Sequence, residues 1–177
     1  AELKEVLAEG VEADYISLSG SGEPTLHSKI GEIIQQIKTM TDIPVSILTN
    51  GTLFHEPKVR KDCLAADLIL PSLDAPDEQT FRRINRPDAN LNFSDIVEGL
   101  ISLRKEYPGK IWLEVFLIEG INTDDRQIRD LRELIARIEP DKVQLNTAVR
   151  PTAEAGVSRL TPEKLRAIQQ QIGPECE

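Results

Sequence analysis

Residues 111–118 read Ile111-Trp112-Leu113-Glu114-Val115-Phe116-Leu117-Ile118, and the chain continues Glu119-Gly120-Ile121-Asn122-Thr123. Aromatic and β-branched residues favour an extended strand here. In a strand, side chains alternate between faces, so Glu114 shares one face with Trp112 and Phe116. A sheet sandwiched between two helical layers needs strands that are apolar throughout. A charged residue in mid-strand instead suits a face that lines a ligand-holding lumen.

Other segments repeat the pattern. In Tyr15–Ser19, Ser17 and Ser19 oppose Ile16 and Leu18, and in Lys142–Thr147, Gln144 and Asn146 oppose Val143 and Leu145. Further β-rich runs lie at Pro44–Thr49 and Leu68–Leu73. Helical spacing fills the intervals. Ile30, Ile33, Ile34 and Ile37 follow Ser28, which is expected to be the N-cap, and Ile96, Leu100 and Leu103 follow Ser94 in the same way. Ile128, Leu131, Leu134, Ile135 and Ile138 follow the acidic start Thr123-Asp124-Asp125, and the last helix opens on Thr161-Pro162-Glu163. These are capping signatures. A first helix is expected to carry Leu3, Val6, Leu7 and Val11. Alternating strands and helices imply a parallel sheet. The expected fold is α/β, a partial (β/α) TIM-like barrel of about five parallel strands with outer helices. A single domain is expected over 1–177. Because the chain opens on a helix, the strand that would start the repeat is expected to be missing.

With 177 residues the chain suits one domain. Lys plus Arg is 21 and Asp plus Glu is 30, a net charge of −9, which disfavours broad contact with nucleic acid or anionic membrane. No apolar run approaches a bilayer span and no signal peptide opens the chain, so a cytoplasmic protein is expected. The two cysteines, Cys63 and Cys176, form no CxxC and no cluster with His, and they read as structural thiols.

In parallel α/β folds ligands bind at the carboxyl ends of the strands. Five segments meet there: Gly20–Thr25, Thr49–Thr52, Ser72–Pro76, Glu119–Thr123 and Asn146–Pro151. All are rich in Gly, Pro and small polar residues, as a small polar ligand would require. Gly20 and Gly22 allow close backbone approach, and Glu23 offers a carboxylate to an ammonium group. The loop is neither a P-loop nor GxGxxG. His27 and His55 are expected on the surface. Arg82, Arg83 and Arg86 read as a solvated helix face, and Arg150 sits near the rim.

The blocks SLSGSGEPTL, ILTNGTL, ILPSLDAPDEQTFRRINRP, WLEVFLIEGIN and DKVQLNTAVRP, in this order, resemble the radical S-adenosylmethionine superfamily. More narrowly they resemble the Fe–S oxidoreductases related to the tRNA wybutosine-pathway enzymes. The resemblance implies reductive cleavage of S-adenosylmethionine to a 5′-deoxyadenosyl radical that abstracts hydrogen from a substrate. It implies S-adenosylmethionine and a [4Fe–4S] cluster as cofactors, and an electron donor such as flavodoxin or ferredoxin. A tRNA substrate is implied by kinship alone.

By position, Ser21, Gly22 and Glu23 match the segment that binds the methionine amino group, with Ser21 where glycine is usual. Asn50 would lie near the cofactor. Ser72 and Asp74 match positions that meet its ribose and methionine moieties, Ile118–Asn122 the adenine-contacting region, and Asn146 the equivalent position on the last strand. Bottom-up, Asn50 and Asn146 read equally well as turn or cap residues. The family's Cys-x-x-x-Cys-x-x-Cys loop is absent, and neither Cys63 nor Cys176 substitutes for it. The cluster ligands are therefore expected outside this chain, which would be inactive alone, and no residue is singled out as catalytic or metal-ligating. Freed of its partner, Glu23 is expected to have little structural work. The competing reading is a non-catalytic partial barrel that binds a nucleoside-like ligand. A hydrolase or aldolase is disfavoured, for no strand-end Lys and no His/Asp metal set are present.

Overall fold

The computed structural model describes residues 2–149, 158–173 and 176. Five strands, β1 (Ile16–Leu18), β2 (Val45–Thr49), β3 (Leu68–Pro71), β4 (Lys110–Leu117) and β5 (Lys142–Thr147), form one parallel sheet in the order β1-β2-β3-β4-β5. When each strand pairs with its successor through right-handed crossovers, every helix falls on the same side. The sheet is open, a partial barrel with one face left to line a lumen.

The alternation read from residues 111–118 is what the structure shows. Ile111, Leu113, Val115 and Leu117 are fully buried, whereas Trp112, Glu114 and Phe116 are half-exposed on the opposite face. Val143 and Leu145 likewise turn inward, leaving Gln144 and Asn146 on Glu114's side. The inward face packs on α2 (Ile30–Lys38), α5 (Phe93–Glu106) and α6 (Asp125–Ile138) through Ile34, Ile37, Leu100, Leu103, Leu131 and Ile135. Pro71 has no N–H, and the β3–β4 pairing that runs through Ile69↔Ile111 lapses there before resuming at Ser72↔Glu114 in the same register.

Four local expectations are corrected. Lys29, not Ser28, occupies the N-cap of α2, and no side chain caps it. Asn92 is the N-cap of α5, so Ser94 lies inside the helix. The Phe93 N–H, which has no partner within the helix's first turn, is met from another element: it donates to Glu78 Oε2 at 2.8 Å. Glu78 opens α4 (Glu78–Ile84) and also receives Arg82 Nε, while Arg82 donates to the carbonyls of Asp88 and Leu91. Arg82 thus organises the 85–92 loop and is no mere solvated charge. Finally α1 (Glu2–Ala8) buries no residue, and Val11 lies beyond it, half-exposed. The cap at Thr161 is as expected and opens α7 (Pro162–Ile172), and within the acidic start of α6 it is Asp124 that caps, in a full capping box with Gln127.

Candidate functional site

The described parts of the five loops at the carboxyl ends of the strands, up to Val149 in the last, form one rim, held together by side chains acting between loops. Glu23 follows β1. Its Oε1 accepts from the N–H (3.1 Å) and hydroxyl (2.6 Å) of Thr25 and from the hydroxyl of Thr49 at the end of β2, and its Oε2 accepts from Asn50 N–H at 2.8 Å. The carboxylate caps the 3₁₀ turn Pro24–Leu26 and ties loop 20–25 to β2. The expectation that Glu23 has little structural work is corrected: its oxygens are engaged by four donors of the chain itself. What the loop leaves open is backbone. Neither Gly20 nor Gly22 has positive φ, and a Cβ on Gly22 would meet no atom within 4 Å. Neither conformation nor packing demands glycine there, and the bare, exposed main chain at Ser21–Gly22 is open to a ligand.

Asn50 closes a turn, its Oδ1 accepting from Thr52 N–H at 3.0 Å and from the Thr52 hydroxyl at 2.7 Å. Gly51 beside it needs its φ of 74°. Asn50, Ser72 and Asp74 line a single cleft of about 290 Å³ at the ends of β2 and β3, together with Thr52, Asn85 and Arg86. A larger cleft, between α6 and α7 around Pro140 and Val143, lies at the opposite end of the sheet and shares none of these residues.

Asp74 accepts from Phe116 N–H and from Asn85 Nδ2, each at 2.9 Å. Burial raises its carboxyl above the ordinary range, these two donors oppose the rise, and the nearby charge of Glu114 adds to it. A group whose folded pKa is raised contributes stability that is present below its unfolded pKa and lost as pH rises through the folded value. Asp74→Asn keeps the acceptor for Phe116 and can re-pair with a flipped Asn85 amide. Thermal unfolding should therefore find the variant at least as stable as the native chain at pH 7, with the gap closing as pH falls below the carboxylate range. A gap that widens on acidification would contradict this.

Asn122 is fully buried. Its Nδ2 donates to the carbonyls of Asp74 and Phe116, both at 2.8 Å, and its Oδ1 accepts from Ile118 N–H at 2.7 Å. The side chain expected beside an adenine is thus consumed in joining the loop after β4 to the loop after β3. At the head of α7, Lys164 pairs with Glu119 and braces the same loop from outside. Two site elements escaped sequence reading as partners. Glu114 accepts from Asn146 Nδ2 and, at 3.4 Å, from the Ser72 hydroxyl, linking β3, β4 and β5 on the open face. Asn85 reaches Asp74 across 11 residues. The mid-strand charge signalled Glu114; nothing local signals Asn85. Ser72, Asp74, Glu114 and Asn146 therefore form one polar group, while Ser21, Gly22 and Glu23 reach it through β2 and Asn50. Arg150 lies outside the described residues.

The thiols stand apart. Cys63, at the end of α3 (Pro57–Cys63), is fully buried, and burial, with the charges of Asp62 and Glu23, pushes its pKa up to about 12. Cys176 is buried against the start of β5. Among the described residues no three Cys, His, Asp or Glu groups gather as a metal site. The residues present do not fit an iron–sulfur cluster, which takes three or four thiolates. They do fit a small zwitterionic ligand, with bare backbone, hydroxyls and carboxylates on one rim. No helix among the described residues is long and apolar enough to cross a membrane.

A protein of Brachyspira hyodysenteriae named GTPase Obg is 41% identical over 175 residues, 99% of this chain and 26% of that protein. A UPF0026 protein of Methanocaldococcus jannaschii is 33% identical over 155 residues, 88% of this chain and 47% of that protein. The chain thus spans between a quarter and a half of these relatives. The crystal structure of Streptococcus suis SuiB bound to S-adenosylmethionine is similar in fold, with a TM-score of 0.72, 15% identity, and coverage of 97% of this chain and 39% of that one. The family model described as the Radical SAM superfamily matches residues 1–135, from α1 into α6. The chain belongs to the radical S-adenosylmethionine superfamily.

Proposed function

We propose that the chain is the cofactor-facing part of an enzyme that reductively cleaves S-adenosylmethionine to a 5′-deoxyadenosyl radical for hydrogen abstraction from a substrate. The observation that carries this reading is the cleft that gathers Asn50, Ser72 and Asp74, residues singled out by motif position, at the carboxyl ends of β2 and β3. When bound, the cofactor supplies the adenosyl group, and the protein's residues hold it in place. The Ser21–Gly22 backbone would accept the ammonium, with Glu23 acting as a positioning residue that fixes the loop through Thr25, Thr49 and Asn50. Ser72 and Asp74 would meet the ribose and methionine ends, and Asn50 and Asn146 would bound the pocket. Asp74, which lines the cleft, accepts from Phe116 N–H and Asn85, and these two bonds hold its carboxyl in place.

The cluster ligands would come from elsewhere in a longer protein, as would contacts with a flavodoxin- or ferredoxin-type electron donor. A cytoplasmic setting and a tRNA substrate belong to the same proposal, though a net charge of −9 leaves this part a poor platform for a polyanion. The test is formation of 5′-deoxyadenosine by the longer, cluster-loaded protein under reducing conditions with S-adenosylmethionine. The reading expects product that depends on reductant. A loaded protein that binds the cofactor but forms none would instead favour the nucleoside-binding module.

A further inference from the structure

Glu114 is the charged centre of the open face. It lies two residues from Trp112 and two from Phe116, all three on one side of β4, with about 7 Å between successive side chains. Its hydrogen-bond partners are the uncharged Ser72 and Asn146. Below it, Lys142 already places its ammonium 4.6 Å from the Trp112 ring centroid, and Tyr15 meets the same ring edge-on at 6.3 Å. The chain itself thus uses this aromatic wall to hold a cation. A half-exposed carboxylate with uncharged hydrogen-bond partners and the Asp74 carboxyl nearby, set between the Trp112 ring that Lys142 covers and the Phe116 ring at the rim, is complementary to a planar, positively charged nitrogen group. Such a group pairs with the carboxylate edge-on and stacks its face on the Phe116 ring.

We propose that the open face is a subsite for a substrate bearing a guanidinium, amidinium or protonated nitrogen heterocycle, with Glu114 as its anchor and Phe116 as its upper wall. The inference rests on the proposed function only in calling the ligand a substrate; the subsite stands on the face itself.

Trp112 is the only tryptophan of the chain, so its fluorescence reports on this face directly. The 177-residue chain is titrated with benzamidine, with uncharged benzamide and anionic benzoate as controls. Saturable quenching by benzamidine alone is expected, persisting in the presence of S-adenosylmethionine. Glu114→Gln should weaken it at least tenfold and Phe116→Leu about threefold, with folding of each variant checked by thermal unfolding. If Glu114→Gln does not fold, Phe116→Leu carries the test. Equal binding of benzamide, unchanged affinity in the variants, or displacement by S-adenosylmethionine would overturn the proposal. A parallel titration with S-adenosylmethionine separates the two readings. A response to it without one to benzamidine removes the subsite and leaves the proposed function. A benzamidine response alone supports the subsite and counts against the proposed function.

Discussion

Glu23→Ala is expected to lower the unfolding free energy of this chain by about 3 kcal/mol, measured by urea denaturation at constant m. Hydrogen bonds to a charged group each contribute about 1.5–3 kcal/mol net. Glu23 accepts four, from Thr25 twice, Thr49 and Asn50. The loss is smaller than their sum because loop 20–23 is partly exposed and water can replace some of the partners. It is still large because Thr25 and Thr49 are 5% and 6% exposed, so their hydroxyls are left in a dry environment. Glu23→Gln should cost less, about 1–2 kcal/mol, since an amide keeps one acceptor but turns an N–H toward that of Asn50. A change within about 0.5 kcal/mol for both variants, ordinary for a surface position, would return Glu23 to the role of a ligand-facing carboxylate without structural work.

Asn122→Ala is expected to cost about 3 kcal/mol or more. The side chain is sealed from water and its partners are at most half-exposed, so truncation leaves the carbonyls of Asp74 and Phe116 and the N–H of Ile118 without their partner and opens a cavity besides. The chemistry of the site makes a sharper comparison possible. Asn122→Asp keeps the acceptor for Ile118 but turns a carboxylate oxygen toward two carbonyl oxygens, so it should be worse than alanine despite its matching shape. If aspartate proves the milder change under the same denaturation assay, the amide does not hold the two loops together as described.

These two residues also show where sequence reading reaches its limit. Strand identity, parallel pairing and the one-sided placement of helices follow from patterns within six or eight residues, such as the alternation through Glu114 or the Gln144 and Asn146 pair on β5. The rim loops are legible for the same reason, because Gly, Pro and small polar residues cluster just beyond each strand. The partners of the rim side chains are not legible. Glu23 finds Thr49 across 26 residues, Asp74 finds Phe116 across 42, and Asn122 finds the Asp74 carbonyl across 48. Such distances are set by sheet register, which no local spacing encodes. The caps at Ser28 and Ser94 failed on related grounds. A hydroxyl ahead of an apolar stripe is a good cap only if no other group takes the helix end, and Glu78, from α4, meets Phe93 N–H instead. Motif position located Asn50, Ser72 and Asp74 in one cleft without indicating that Glu23 would spend its carboxylate inside the chain.

The central claim is that the carboxyl-terminal rim of the sheet is the S-adenosylmethionine site. It is tested most directly by amide chemical-shift perturbation on this chain, a method that registers weak binding in the absence of a cluster. Addition of S-adenosylmethionine should shift the amides of Ser21, Gly22, Asn50, Ser72, Asp74 and Asn146, leaving those around Pro140, Val143 and Ile172 at the far end unmoved. Shifts confined to that far cleft between α6 and α7, or none at millimolar cofactor, would contradict the account.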